Sequence, residues 1–136
     1  MTYVEEAFLL LSHADAYLRY AETTRRSGIY GPAVSMAYYA SFYAAQAVVA
    51  YHREGPKTHK GVRKLFHQLA VVESDFPGEV APVVGDLADS RLQADYDHET
   101  MDSWTDADAS DAIHRAHAFV AEANAWFDRH HTSEST

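Results

Sequence analysis

The chain of 136 residues contains no cysteine, and it has only four prolines and six glycines. The absence of cysteine excludes disulfide bonds and any metal site built on thiolates. Basic residues are also few, since 11 lysines and arginines face 20 aspartates and glutamates and leave a net charge of −9. Such an acidic balance argues against broad affinity for nucleic acid over the whole surface.

Long hydrophobic runs are missing as well. The most apolar stretch, residues 33–51, is rich in alanine, serine and tyrosine and has Gln46 in its middle. It predicts a buried core helix and falls short of a membrane span. Residues 1–6 carry acidic side chains where a secretory signal carries basic ones. We therefore expect a cytoplasmic protein with no membrane partner.

The spacing of the apolar residues predicts an all-α fold, an antiparallel up-and-down bundle of four to five helices. The length fits one domain, which we place at residues 1–131, with residues 132–136 as a disordered C-terminal tail. The helices are expected at about residues 3–26, from 31 to a stop at 55–56, from a Thr58 cap to a break at 76–78, from 78–82 to 97, and at 106–130.

Apolar stripes predict which helix faces are buried. In the third helix the predicted stripe consists of Val62, Leu65, Phe66, Leu69 and Val72. In the fourth helix the seam is formed by Val80, Val84, Leu87, Arg91, Ala94 and His98. Arg91 and His98 thus continue an apolar seam. They are seven residues apart, and seven residues bring a helix back to within about 20° of its starting direction, so both side chains are expected on the same face.

The polar groups on this seam form a candidate site. Asp95 lies one turn after Arg91 and is expected to pair with it. A cation, an imidazole and a carboxylate on a face turned to the core or to a partner can bind and act on a charged ligand. The same spacing also fits a purely structural role, with an ordinary Arg–Asp helix pair and with His98 favouring the end of the helix dipole.

A basic cluster stands out on the acidic chain. Between residues 53 and 64 there are five basic residues and one glutamate, a local net charge of +4. The candidates for phosphate or RNA binding are Lys57, His59, Lys60, Arg63 and Lys64, close to the free N–H groups that begin the third helix. A solvated helix face explains the cluster equally well.

Patterns for metal and nucleophilic chemistry are absent. Nine histidines are many for this length, but no Glu-x-x-His pair occurs, and di-metal bundles depend on such pairs. There is also no Gly-x-Ser-x-Gly and no glycine-rich phosphate loop. We therefore expect no metal ligands and no cofactor.

Three segments taken together resemble the HEPN domain family (higher eukaryotes and prokaryotes nucleotide-binding). They are AYYASFYAAQAV at residues 37–48, KTHKGVRKLF at 57–66 and RLQADY at 91–96. The similarity is closest to a small prokaryotic branch with an Arg-x-x-Ala-Asp-Tyr signature, and it covers nearly the whole chain. It implies an antiparallel helical bundle that pairs as a homodimer through its polar helix.

The resemblance also implies a chemistry. Many HEPN proteins are metal-independent ribonucleases with an arginine, four to six residues and then a histidine. Arg91 and His98 match the longest form of this motif. The implied roles are proton transfer by His98, stabilisation of phosphate charge by Arg91 and orientation of Arg91 by Asp95.

Regulation by a partner follows from the same resemblance. Small HEPN proteins are often encoded beside a minimal nucleotidyltransferase, which implies a toxin and antitoxin pair with Tyr96 as a possible adenylylation site. The alternative is a non-catalytic module that binds a nucleotide or a partner protein. Two departures from the toxin pattern bear on this alternative: Leu92 replaces the polar residue after Arg91, and Tyr96 precedes His98 where the histidine usually comes first.

Overall fold

The computed structural model describes residues 2–52, 58–96 and 103–135, and every regular element in these ranges is helical. The elements are α1 (Tyr3–Arg26), α2 (Tyr30–Tyr51), α3 (His59–Phe66), a π-helical turn (His67–Val72), α4 (Val83–Tyr96) and α5 (Asp106–Ser135). The predicted all-α helical bundle is confirmed. None of the helices in the described part of the chain combines the length and apolarity needed to cross a membrane.

α2 is the central helix of the bundle. It packs against α1, α3, α4 and α5, and its contact with α1 is the most extensive. Small residues make this possible, because alanine leaves room for a neighbouring helix to approach closely. The fully buried alanines of α2 are Ala33, Ala37, Ala40, Ala44, Ala45 and Ala47.

Both ends of α1 carry residues that commonly begin and end helices. The Thr2 side chain accepts a hydrogen bond from the backbone N–H of Glu5 at 3.1 Å and caps the helix. At the other end Gly28 has a φ of 81°, in the left-handed region that glycine adopts without strain. Arg25, in the last turn, donates to Asp106 at 2.7 Å and joins α1 to the start of α5.

The third helical segment departs from the predicted stripe. Thr58 caps α3 as expected, since its hydroxyl accepts from the N–H of Gly61 at 2.9 Å, and Val62 and Phe66 are buried. The chain then widens into the π turn, which takes more residues per turn than an α-helix. The next buried position is consequently Ala70, while Val72 is 59 % exposed. The prediction that the stripe continues to Val72 is therefore wrong.

α4 begins later than predicted, at Val83. The residues before it form turns, in which the N–H groups of Val80 and Ala81 both lie 3.2 Å from the carbonyl oxygen of Pro77. The apolar seam of α4 is confirmed as far as Ala94, with Val84 and Leu87 buried. Arg91 continues this seam, with a side chain that is only 18 % exposed.

α5 is longer than predicted. It runs to Ser135, five residues past the expected end at His130, because no proline or glycine follows to stop it. Residues 132–135 of the predicted tail are therefore helical. The buried stripe of α5 consists of Ala109, Ile113, Ala116, Val120, Ala123 and Phe127.

Candidate functional site

Arg91 lies at the contact between α4 and α2, next to two consecutive tyrosines of α2. Its guanidinium carbon is 5.3 Å from the ring centre of Tyr38 and 5.6 Å from that of Tyr39. A guanidinium group at this distance is attracted by the negative face of an aromatic ring. Arg91 Nη1 also donates to the hydroxyl of Tyr39 at 3.4 Å. The tyrosines thus hold a positive charge at the α2–α4 contact.

Asp95 fixes Arg91 from the next turn of α4. Its Oδ2 lies 3.4 Å from Arg91 Nη1, so the predicted pair is present. Its other oxygen, Oδ1, accepts a hydrogen bond from the hydroxyl of Ser35 at 2.5 Å. Asp95 therefore ties Arg91 to α2 as well as to its own helix. No sequence signal pointed to Ser35, since a serine among alanines looks ordinary until its partner 60 residues away is known.

His59, the first residue of α3, joins the same group of side chains. Its Nδ1 lies 2.6 Å from the hydroxyl oxygen of Tyr38. Its ring stacks on Phe42, with centroids 4.0 Å apart and planes inclined by 15°. The residue nevertheless remains exposed to solvent. His59 is therefore a fixed imidazole that a ligand can reach.

The surroundings of His59 and Tyr38 set the protonation state of both side chains. Burial, followed by the positive charges of Arg91 and Arg63, lowers the pKa of His59. Burial also raises the pKa of the Tyr38 hydroxyl, although Arg63 and Arg91 act in the opposite direction. At pH 7 the imidazole is consequently neutral for most of the time, and the phenol keeps its proton.

Three residues of the predicted basic cluster form one surface on α3. Lys60, Arg63 and Lys64 line a shallow depression together with His67. Arg63 also influences Tyr38 and His59 electrostatically, which connects the depression with the Arg91 site. Arg63 is thus the residue that links the basic surface of α3 to the Arg91 site.

Some predicted site residues fall outside the described part of the chain. They are His98, Lys57 and, as far as its side chain is concerned, Tyr96. Their roles stay predictions. Within residues 2–52, 58–96 and 103–135, no three side chains of histidine, aspartate or glutamate meet in an arrangement that suits a metal ion.

A serine, a histidine and an aspartate also meet near the end of α5. His130 Nε2 lies 3.3 Å from the hydroxyl of Ser74 and 2.7 Å from Asp75 Oδ1. A hydrolytic triad uses one ring nitrogen for the serine and the other for the aspartate, whereas here the same nitrogen meets both. Trp126 Nε1 donates to the same serine hydroxyl at 3.2 Å. This cluster therefore joins the segment after the π turn to α5 and is not a catalytic triad.

Comparisons with known proteins agree with this architecture. A family model described as the HEPN domain matches residues 7–126. Two relatives from Methanocaldococcus jannaschii are each named "Putative toxin". One is 28 % identical and covers 88 % of this chain and 80 % of its own. The other is 32 % identical and covers 85 % and 84 %.

A solved structure is similar as well. It is the crystal structure of TT1696 from Thermus thermophilus, with a TM-score of 0.76 and 19 % sequence identity. The likeness covers 88 % of this chain and 96 % of that one. At this level of identity the comparison shows a shared fold, a helical bundle.

Proposed function

The chain belongs to the HEPN domain family, and from this premise we propose that it is a toxin-like, metal-independent endoribonuclease. Both Methanocaldococcus relatives carry a toxin name. The observation that carries the proposal is Arg91, a cation clamped by Tyr39 and Asp95 and placed beside the neutral imidazole of His59.

The proposed reaction is an attack of the ribose 2′-hydroxyl on the neighbouring phosphorus. Arg91 stabilises the charge that builds up on the phosphate, since its planar guanidinium can donate to two oxygens at once. Asp95 holds Arg91 in place. His98 transfers protons, as the family motif implies. The products are a 2′,3′-cyclic phosphate and a free 5′-hydroxyl, and no step requires a metal ion.

The basic depression on α3 supplies affinity for the RNA backbone in this proposal. Lys60, Arg63 and Lys64 lie together on it, and Lys57 comes just before α3. Their contacts with phosphates release counterions, which makes binding depend on salt. The net charge of −9 confines this affinity to the one basic surface.

A homodimer and a nucleotidyltransferase antitoxin complete the proposal. Leu92, next to Arg91, is 49 % exposed on α4 and offers an apolar contact for a second copy of the chain. Pairing through α4 brings two Arg91 sites together. The antitoxin acts on Tyr96, which follows Asp95 directly. Light scattering of the purified protein tests the dimer, and a monomer at micromolar concentration would contradict it.

The second candidate is a non-catalytic module that binds a nucleotide or a partner protein. It is favoured by the burial of Arg91, which leaves 18 % of the side chain accessible, and by the full engagement of Asp95 with Arg91 and Ser35. In this case the site recognises a phosphate group without transforming it.

Incubation of the purified protein with RNA in the presence of EDTA separates the two candidates. The ribonuclease should release fragments that end in a cyclic phosphate, and Arg91→Lys should lose most of the activity because lysine keeps the charge but lacks the planar fork. Arg115→Lys is the matched control, since Arg115 lies on α5 and pairs with Asp86 at 2.7 Å, whereas Arg91 pairs with Asp95. If the wild-type protein leaves the RNA intact, the ribonuclease proposal is wrong and the binding module is the remaining candidate.

A further inference from the structure

We propose that His59 is a second proton-transfer residue, a general base that is held by Tyr38 and takes the proton of the attacking 2′-hydroxyl. This inference rests on the proposed ribonuclease function. The arginine and histidine motif of the family resemblance does not contain His59, and the sequence predicted only phosphate binding for it. The assignment follows from the contacts of its ring.

The ring of His59 is fixed in two directions. Stacking on Phe42 sets its plane, and the 2.6 Å contact between Nδ1 and the Tyr38 hydroxyl sets its rotation within that plane. With Nδ1 engaged, Nε2 is the nitrogen that remains for a substrate. In the tautomer that carries its proton on Nδ1, the ring donates to Tyr38 and presents the lone pair of Nε2. Both ring nitrogens then have distinct tasks.

The charges around His59 keep it in the form that a base requires. Tyr38 and Tyr39 face it from α2, Arg63 from its own helix α3 and Arg91 from α4. Both arginines disfavour a third positive charge, and burial acts in the same direction. The neutral imidazole can therefore accept a proton at pH 7.

Two tyrosines bring the base and the phosphate-binding cation together. The ring centres of Tyr38 and Tyr39 lie 5.9 and 6.2 Å from that of His59. The same rings lie 5.3 and 5.6 Å from the guanidinium carbon of Arg91. A phosphate bound to Arg91 is consequently close to an imidazole that is already oriented, which is the arrangement that intramolecular attack needs.

The proton balance of the step is simple. His59 Nε2 takes the proton from the 2′-hydroxyl while the 2′-oxygen forms a bond to phosphorus. The bond from phosphorus to the 5′-oxygen breaks, and this oxygen takes a proton from the acid that the proposed function assigns to His98. His59 then releases its proton to solvent, and His98 takes up a proton from solvent, which restores both residues. No oxidant, reductant or metal ion enters the balance.

Two substitutions of His59 separate catalysis from structure. His59→Ala removes the imidazole, and His59→Asn keeps an amide that can still hydrogen-bond Tyr38. Both should lower kcat by about a hundredfold to ten-thousandfold, with RNA binding and circular dichroism unchanged. Added imidazole should restore part of the activity of His59→Ala. His114→Ala, at an exposed histidine of α5, is the matched control and should cleave like the wild type.

The pH profile gives a readout that a structural role would not move. Wild-type kcat should follow a bell-shaped pH profile. Its acidic limb rises through the lowered pKa of His59, because only the neutral imidazole accepts a proton, and its alkaline limb reflects loss of the proton from the acid assigned to His98. In His59→Ala this rise should be replaced by a continuous dependence on hydroxide. Tyr38→Phe keeps the ring and removes the hydroxyl, so it should lower kcat less than His59→Ala does and leave KM near its wild-type value.

The possible failures are distinguishable. If the wild-type protein does not cleave RNA, the proposed function is wrong and the role of His59 falls with it. If the wild type cleaves and Arg91→Lys does not, while both His59 variants retain activity, only the inference is overturned. Loss of activity in a folded His59→Ala protein that imidazole does not rescue, or equal loss of helix signal in both variants, also overturns it.

Discussion

Replacing Arg91 with alanine should lower the free energy of unfolding by about 2 kcal/mol. Removing one partner of a fully buried pair costs roughly 3–5 kcal/mol. The side chains of Arg91 and Asp95 are 18 % and 30 % exposed, and their atoms are 3.4 Å apart, so water can replace part of the interaction. Asp95 also keeps its hydrogen bond from Ser35.

The contacts of Arg91 with Tyr38 and Tyr39 add to the expected loss of unfolding free energy. A cation over an aromatic ring contributes about 0.5–1 kcal/mol at a partly exposed site, and Arg91 lies near the rings of both Tyr38 and Tyr39. We attribute about 1 kcal/mol to these contacts and about 1 kcal/mol to the weakened pair with Asp95. Urea unfolding followed by circular dichroism measures the difference, with the slope against denaturant checked for constancy.

Arg115→Ala is the matched comparison. Arg115 and Asp86 are closer, at 2.7 Å, but their side chains are 35 % and 56 % exposed. A pair of this exposure contributes about 0.2–1 kcal/mol, so the longer contact of Arg91 should matter more than the shorter one of Arg115. If Arg115→Ala proves the more destabilising of the two, burial does not govern these interactions and the reasoning fails.

Two further predictions concern acid stability and salt dependence. Hydrogen bonds from His130 and Arg129 lower the pKa of Asp75 to about 2. The contribution of ionised Asp75 to the free energy of unfolding is therefore complete above the ordinary carboxyl pKa of 3.8, and it disappears as pH falls through 2. In an acid titration, Asp75→Asn should therefore have a lower free energy of unfolding than the wild type at pH 6, and this difference should vanish near pH 2. A difference that stays constant with pH would contradict this. Lys60→Glu with Lys64→Glu should weaken RNA binding and flatten its salt dependence. Arg19→Glu, at an exposed position of α1, should change binding little.

The fold was predictable because its information is local. Apolar spacing in α4 and the Thr58 cap each depend on residues a few positions apart, and the structure confirms them. The π turn was not predictable in this way. Its wider geometry changes the number of residues per turn for only six residues, and no proline or glycine lies within them to indicate it.

The site was predictable only in part. The pair of Arg91 and Asp95 has helical spacing and could be read from α4 alone. The contact between Tyr38 and His59 joins two helices, and that between Ser35 and Asp95 spans 60 positions. Tertiary packing decides which nitrogen of a histidine meets which hydroxyl, and a periodic pattern holds no information about it.

The position of α2 has a consequence for how this scaffold changes over evolutionary time. α2 contributes the neutral holding groups Ser35, Tyr38, Tyr39 and Phe42, whereas the ionisable groups they hold come from α3 and α4. A single substitution on either outer helix would therefore remove the chemistry proposed for this site, while the buried alanines of α2 keep the bundle intact. Under the proposed function, a relative that lost one of these ionisable residues would keep the same bundle and act only as a binding protein.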